Sequence, residues 1–585
     1  MGSESIIALR LGSGLDGLTL SRPPCGSVCK DVASGPRCKK SGCHLARYCS
    51  KECQATHWKT HRVDCKGPYM RTSWVPRWVA QNRIPAFIIS DNNPSNVLSR
   101  HYNFGLSHAY LWGNVPAIDH LNLAENEHLS AVRQNFKLCF AASGDIRNLV
   151  RTVNGLPGDY QGKCDILFND WNTLVVGHNL IVLRALLSPE LAIDDAAELA
   201  LHLMYSSSLT RDMSCFLSES IDFVRGLPPS RDAAIPCRGR GKLRPILASS
   251  DLEVTMEMLG SKYGIRAATH AYSKNMCNRQ REDYADWYLM GLEPSHRLAF
   301  SHYRSSGILA PYSLDVSHFE EPNRLLFTSG GDWLLRDRDN PLYGWDPSLA
   351  FAYGEKHGVD RADAYGCLFF YIKDELVRFA SRLRDCDISI TLTKFDAEIL
   401  PELIDDGYLP PFSAGCFDRI ETSNLADWKT ARGVLLGWAP CLNRQNKFAA
   451  LSMYFMNWHR QAKNYVMPNP EDRMVGKYAS IMGIDLRAEY SKPSPVTSKP
   501  GLLRFFEELE VFTDNYEAFQ SYLQGQEVNK IAAKCGLRSR KMHRIYPKRA
   551  GLPLTAPGQS IPDISRSEYY YMCKQPKLTT SISGE

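Results

Sequence analysis

The sequence predicts an α/β protein: a mostly parallel sheet covered by helices, preceded by a small module folded around metal and interrupted by a long helical insertion. Three observations carry that expectation. Seven of the 18 cysteines crowd between Cys25 and Cys65, while the other eleven are scattered. Short apolar runs and helical spacing alternate between Phe136 and Leu187 in β-α-β-α order. The same alternation returns from Cys386 onward, after a stretch that reads mainly helical.

At 585 residues the chain has room for about three or four domains. Its apolar (44%) and charged (23%) fractions are those of a globular protein, which excludes bulk disorder. A net charge of +6 permits an acidic partner, but it is too weak over this length to point to nucleic acid. No apolar run reaches the roughly 18 residues of a membrane helix, so no membrane partner is expected. The first residues carry neither a basic n-region nor a long apolar run, so no signal peptide is expected and the compartment is read as cytoplasm or nucleus. In a reducing compartment a dense cysteine cluster is a metal site rather than a disulfide framework. Scattered cysteines such as Cys139, Cys164, Cys367 and Cys416 sit in apolar contexts and read as core.

The cluster runs PPCGSVCKDVASGPRCKKSGCHLARYCSKECQATHWKTHRVDC and holds four close pairs: Cys25 with Cys29, Cys38 with Cys43, Cys49 with Cys53, and His61 with Cys65. Zinc takes four thiolate or imidazole ligands, so eight ligands in four pairs suggest two Zn2+ per chain. A module of this size buries too little apolar surface to fold alone, and metal supplies the difference. Ser50 is placed to cap a short helix on which His61 and Cys65, at i and i+4, share a face, with Trp58 packing beside them. His44 and His57 are spare candidates that read as surface residues.

Tyr48-Cys49-Ser-Lys-Glu-Cys53, Trp58 and His61-x3-Cys65 resemble the MYND-type zinc finger. The resemblance implies a cross-brace, with Cys25, Cys29, Cys49 and Cys53 on one zinc and Cys38, Cys43, His61 and Cys65 on the other. It also implies protein partners, proline-rich peptides among them. The family usually places two residues inside each of its first two pairs. Here Cys25 and Cys29 enclose three and Cys38 and Cys43 enclose four, so these turns must bulge. Two filled sites are closed, with no position left for water or substrate, and so are structural.

After a connector, Phe136–Ala141 reads as a buried strand, residues 142–145 as a turn, Ile146–Val153 as a helix, Asp165–Phe168 as a second strand and Val175–Leu187 as a second helix. The turn holds Gly144 and Asp145, where nucleotide-binding folds place a phosphate or sulfonium loop. Asp170 ends the second strand, where they place a ribose-binding carboxylate. One glycine instead of three leaves two readings open: a cofactor loop, or a tight turn with a strand-end aspartate.

These stretches, with LWGNVPAIDHLNL before them, resemble a domain of unknown function that accompanies MYND fingers, chiefly in fungi, and is shared with a dynein axonemal assembly factor. The resemblance implies a Rossmann-like fold similar to the S-adenosylmethionine-dependent methyltransferases, with a degenerate cofactor loop. It extends to FDRIETSNLADW, where Ser423, Asn424 and Asp427 become candidate cleft residues. S-adenosylmethionine is thus a candidate cofactor. No Asn-Pro-Pro-Tyr motif is present, and no catalytic residue is assigned.

The expected organisation is a disordered 1–24, the finger at 25–65, a connector at 66–99, α/β segments at 100–190 and 376–490, a mainly helical insertion at 191–375, and a linker, amphipathic helices and basic tail at 491–585. Finger and α/β domain are expected to have separate cores. Within the insertion, CRGRGKLRPI reads as a solvated basic loop. Asp332, Asp337, Asp339 and Asp346 read as solvated too, because Pro341 and Leu342 interrupt any calcium-loop pattern. Function is read as an interaction or assembly protein, with active methyl transfer as the alternative.

Overall fold

A computed structural model describes residues 19–27, 42–83, 85–86, 109–227, 235–290, 292–462, 465, 515–539 and 581–584. Its centre is an eight-stranded sheet: β1 (Phe136–Phe140), β2 (Lys163–Asn169), β3 (Ile235–Pro236), β4 (Lys242–Ile246), β5 (Asp387–Thr393), β6 (Arg419–Glu421), β7 (Ala450–Tyr454) and β8 (Ser581–Gly584). The spatial order is β8-β7-β6-β1-β2-β5-β4-β3. The six inner strands are parallel, and β3 and β8 close the two edges antiparallel. From β1 the chain steps outward through β2, and β6 later returns to β1's other side, so the strand order reverses beside β1.

Period-two alternation along the strands splits the core into two layers. Phe136, Leu138 and Phe140 of β1 and Ile166 and Phe168 of β2 face the larger layer. There they meet α2 (Arg147–Asn154), α3 (Thr173–Leu187), α4 (Ile193–Tyr205) and the 22-residue α5 (Ala364–Asp385). Cys139, Leu167 and Ile420 face the smaller layer, built from Ala431–Trp438 and the helices Tyr516–Gly525 and Val528–Lys534. Both faces of the sheet are covered, as a parallel sheet requires.

Several expectations change. The basic stretch is a loop only over 237–241, where Arg238 and Arg240 are exposed; Lys242–Ile246 is a parallel strand beside β5, and Arg244 donates to Thr391 Oγ1 at 3.0 Å. The insertion therefore supplies two strands, β3 and β4, to the sheet it was expected to interrupt. Asp337 is buried and paired with Arg281 at 2.8 Å, and Asp339 is largely buried and accepts from the Arg336 amide, so neither is a solvated loop residue. Asp346 is exposed but caps the helix Pro347–Lys356. At the ends, the helices after residue 515 belong to the smaller layer and Ser581–Gly584 is an edge strand; the Ser/Pro linker at 489–501 lies outside the described residues. Thr19–Ser21 is held in place, with the Leu20 amide donating to Glu198 (2.9 Å) and its carbonyl accepting from Lys373 (2.9 Å).

Nor is the finger's core separate. Cys43, Leu45, Ala46, Tyr48 and Cys65 belong to the same buried cluster as the larger layer. Among the described residues no helix is long and apolar enough to cross a membrane.

Candidate functional site

The finger helix, α1 (Lys51–Cys65), begins where expected: Ser50 caps it by accepting from the Cys53 amide at 3.2 Å. Its inward face carries His61 and Cys65, both buried. They converge with Cys43 from the preceding loop. Cys65 Sγ lies 2.8 Å from His61 Nε2 and 2.9 Å from Cys43 Sγ. A second trio gathers Cys25, Cys49 and Cys53, with Cys49 and Cys53 sulfurs 3.5 Å apart and the Cys49 amide donating to Cys25 Sγ at 3.4 Å. Within each trio the ligand atoms all lie within 4.8 Å of one another.

Donor sets of three sulfurs, and of two sulfurs with one imidazole nitrogen, fit zinc, and the described cysteines are free thiols. Cys29 and Cys38, the remaining expected ligands, lie outside the described residues. Among the described residues, Cys25 joins the pair Cys49 and Cys53, and Cys43 joins the pair His61 and Cys65. His57 does not join them; its Nδ1 contacts Tyr48 Oη at 3.1 Å. Trp58 reaches the site with one edge, T-shaped to His61 at 6.2 Å, and stays partly buried under the Lys66 ammonium.

Residues 25–65 match the family model of the MYND finger. Residues 111–209 match a second model, described as a domain of unknown function, DUF4470, which runs past the boundary near 190 expected from the sequence. No curated protein matches the chain, and no solved structure does. The MYND finger is a zinc-binding module of the interaction type.

The second candidate site lies at the C-terminal ends of β1, β2 and β6, beside the reversal in strand order. Gly144 has φ of +58°, which a side chain would strain. Its amide donates to Asp170 Oδ2 at 2.9 Å, and Asp170 Oδ1 accepts from the Asn172 amide at 2.9 Å. Burial pushes the Asp170 carboxyl up from its ordinary range. Asp145 turns away to a different task. It pairs with Arg147 Nε at 2.6 Å and accepts from the Gly113 amide at 2.8 Å. Arg147 Nη1 also donates to the carbonyls of Val115 (2.5 Å) and Gly344. The guanidinium lies so close to Gly113 and Gly344 that a Cβ at either would collide with it.

Ser423, Asn424 and Asp427 do gather after β6, yet each is engaged locally. Ser423 donates its amide to Glu421 Oε1 at 2.7 Å, Asn424 begins the short helix Leu425–Lys429, and Asp427 accepts the Met456 amide at 2.7 Å. The residue that stands out is Glu421, which the sequence reading passed over in favour of its neighbours. It is 2% exposed, and its Oε2 has no hydrogen-bond partner among the described residues. Burial, then the Asp170 charge, pushes its carboxyl up to about 8.

A carboxyl that keeps its proton in the folded state loses stability as pH rises. The unfolded chain ionises near the ordinary value, so the loss begins there and is complete above about 8. Glu421→Gln, which stays neutral, is expected to remove this dependence. Between pH 5.5 and 9, urea unfolding should shift in the variant's favour by on the order of a few kcal/mol. A difference between variant and parent that stays constant with pH would show that Glu421 titrates normally.

Proposed function

We propose that this protein is a zinc-dependent interaction protein of the assembly-factor kind. In this reading the MYND finger binds protein partners, and a Rossmann-like, methyltransferase-like body serves as a non-catalytic scaffold in the cytoplasm or nucleus. The observation that carries the scaffold reading is the engagement of Asp145 and Asp170. A cofactor loop needs its amides and strand-end carboxylate free for ligand, whereas here Asp170 takes the Gly144 amide and Asp145 takes Arg147. The partner class is a proline-rich peptide, which docks on exposed aromatic and apolar side chains. Val63, 70% exposed on the outer side of α1, and the partly buried Trp58 are the candidate contacts.

A second reading, methyl transfer from S-adenosylmethionine, draws on the strand reversal beside β1 and on the unpartnered oxygen of Glu421. Two titrations of zinc-loaded protein separate them. Labelled proline-rich peptides should bind with micromolar affinity, and Trp58→Ala or Val63→Asp should each weaken binding at least about tenfold, the scale of one lost interface anchor. Peptides that bind both variants as well as the parent would remove the finger from that role. Calorimetry with S-adenosylmethionine should give no heat at millimolar ligand. Micromolar binding, lost in both Gly144→Arg and Asp170→Ala, would replace the scaffold with an enzyme.

A further inference from the structure

The finger is joined to the α/β body at one of its own metal ligands. His61 turns Nε2 toward Cys43 and Cys65, which makes Nε2 the metal-facing nitrogen. Its other nitrogen, Nδ1, faces the body. There it meets Tyr312 Oη at 3.5 Å, from the loop that follows the helix Pro294–Ser306. The two rings meet edge to face at 5.7 Å, and Tyr312 is buried. Tyr312 Oη donates to Asp64 Oδ2 at 2.7 Å. That bond takes the hydroxyl hydrogen, and the phenol oxygen is left to accept from His61. The tautomer with hydrogen on Nδ1 is the one that leaves Nε2 free for a metal.

The contact runs on into the body. The Tyr312 amide donates to Asp363 Oδ2 at 2.8 Å, and Asp363 Oδ1 accepts from the Gly366 amide at 2.9 Å as the N-cap of α5. Beside it, Ser313 Oγ accepts from the Arg47 amide at 3.2 Å, a docking contact that does not touch His61.

We infer that Tyr312 is an outer-sphere positioning residue for the metal site of Cys43, His61 and Cys65, so that zinc binding in the finger and packing of the body are thermodynamically linked. The inference rests on the zinc reading of the finger. An outer-sphere hydrogen bond fixes the tautomer and ring angle of a ligating histidine, and its loss typically weakens metal binding about 10- to 100-fold. Linkage is reciprocal: if the body tightens the site, metal at the site must tighten the body.

The test compares metal release from the two sites. Cobalt substitution distinguishes the imidazole-containing site from the one with sulfur ligands alone by their visible spectra. Transfer of zinc or cobalt to a chelating dye then gives a rate for each. Tyr312→Phe keeps the ring and removes the hydroxyl. It should speed release from the imidazole-containing site by about tenfold or more and leave the Cys25, Cys49 and Cys53 site unchanged. Ser313→Ala, which removes one docking contact and leaves the His61 bond in place, should speed release from the imidazole-containing site far less than Tyr312→Phe does. In the parent, stripping the metal should raise hydrogen exchange at the Tyr312 amide. Equal acceleration at both sites in Tyr312→Phe, or no change at either, overturns the positioning role. A parent chain that binds no zinc would instead overturn the reading of the finger.

Discussion

Replacing His61 by Ala is expected to cost the chain the zinc of the Cys43, His61 and Cys65 site and to unfold the finger around that site. Structural zinc supplies on the order of 10–16 kcal/mol in small finger modules, more than a segment of about forty residues can replace by burial. The damage should not stop at residue 65. His61 stacks edge-on to Tyr312, and Cys43, Tyr48 and Cys65 pack into the core that also holds α4 and α5. The body's melting temperature should therefore fall as well, by roughly 1–4 degrees, since about 1 kcal/mol moves a domain of roughly 150–250 residues by about 2–4 degrees and a larger body by less. Elemental analysis and calorimetry measure both effects. Two zinc ions retained would remove His61 from the ligand set, and an unshifted body transition would restore the separate cores that the sequence suggests.

Arg147→Met is expected to destabilise the body by about 3–5 kcal/mol, the cost of leaving a buried charge without its partner. Asp145 would keep only the amides of Gly113 and Arg147, and the carbonyls of Val115 and Gly344 would lose their donor. Asp145→Asn in the same chain should recover part of the loss, because it removes the charge and keeps the shape. Urea unfolding of the parent, the single variant and the double variant completes the comparison. A loss below about 1 kcal/mol, the range of an exposed ion pair, would mean that Arg147 is not what holds Asp145. Asp145 would then be open to a ligand, and the scaffold reading would weaken.

Parts of this were legible in the sequence. β1 and β2 lie within a residue or two of their expected bounds, because strands buried on both faces must be continuously apolar. The two trios around Cys25 and Cys43 were legible as clusters because zinc accepts so few side chains at so few spacings. β4 was not: Lys242, Arg244 and Pro245 are poor strand residues, and pairing with β5 imposes the extended conformation from outside. Glu421 looked like one polar residue among five, since nothing local tells which of them tertiary packing buries. Tyr312 stands alone in an ordinary loop sequence, 251 residues from His61, and carries no motif. Asp145 and Arg147 did leave a trace, as opposite charges two apart at a helix start, but only the approach of Gly113 and Gly344 closes them off from solvent.

The hold on Leu20 has a consequence in time. The Leu20 carbonyl is taken by Lys373, 353 residues further along the chain, and its amide by Glu198. Ribosomes add about 5–20 residues per second, so roughly 20–70 seconds separate the emergence of the two halves of this clasp. The finger can take up zinc early in that interval, but its seat on the body, Tyr312 and α5 included, does not yet exist. A nascent chain therefore passes through a stage with a metal-loaded finger tethered to an unfinished sheet, its docking face open to whatever binds it first.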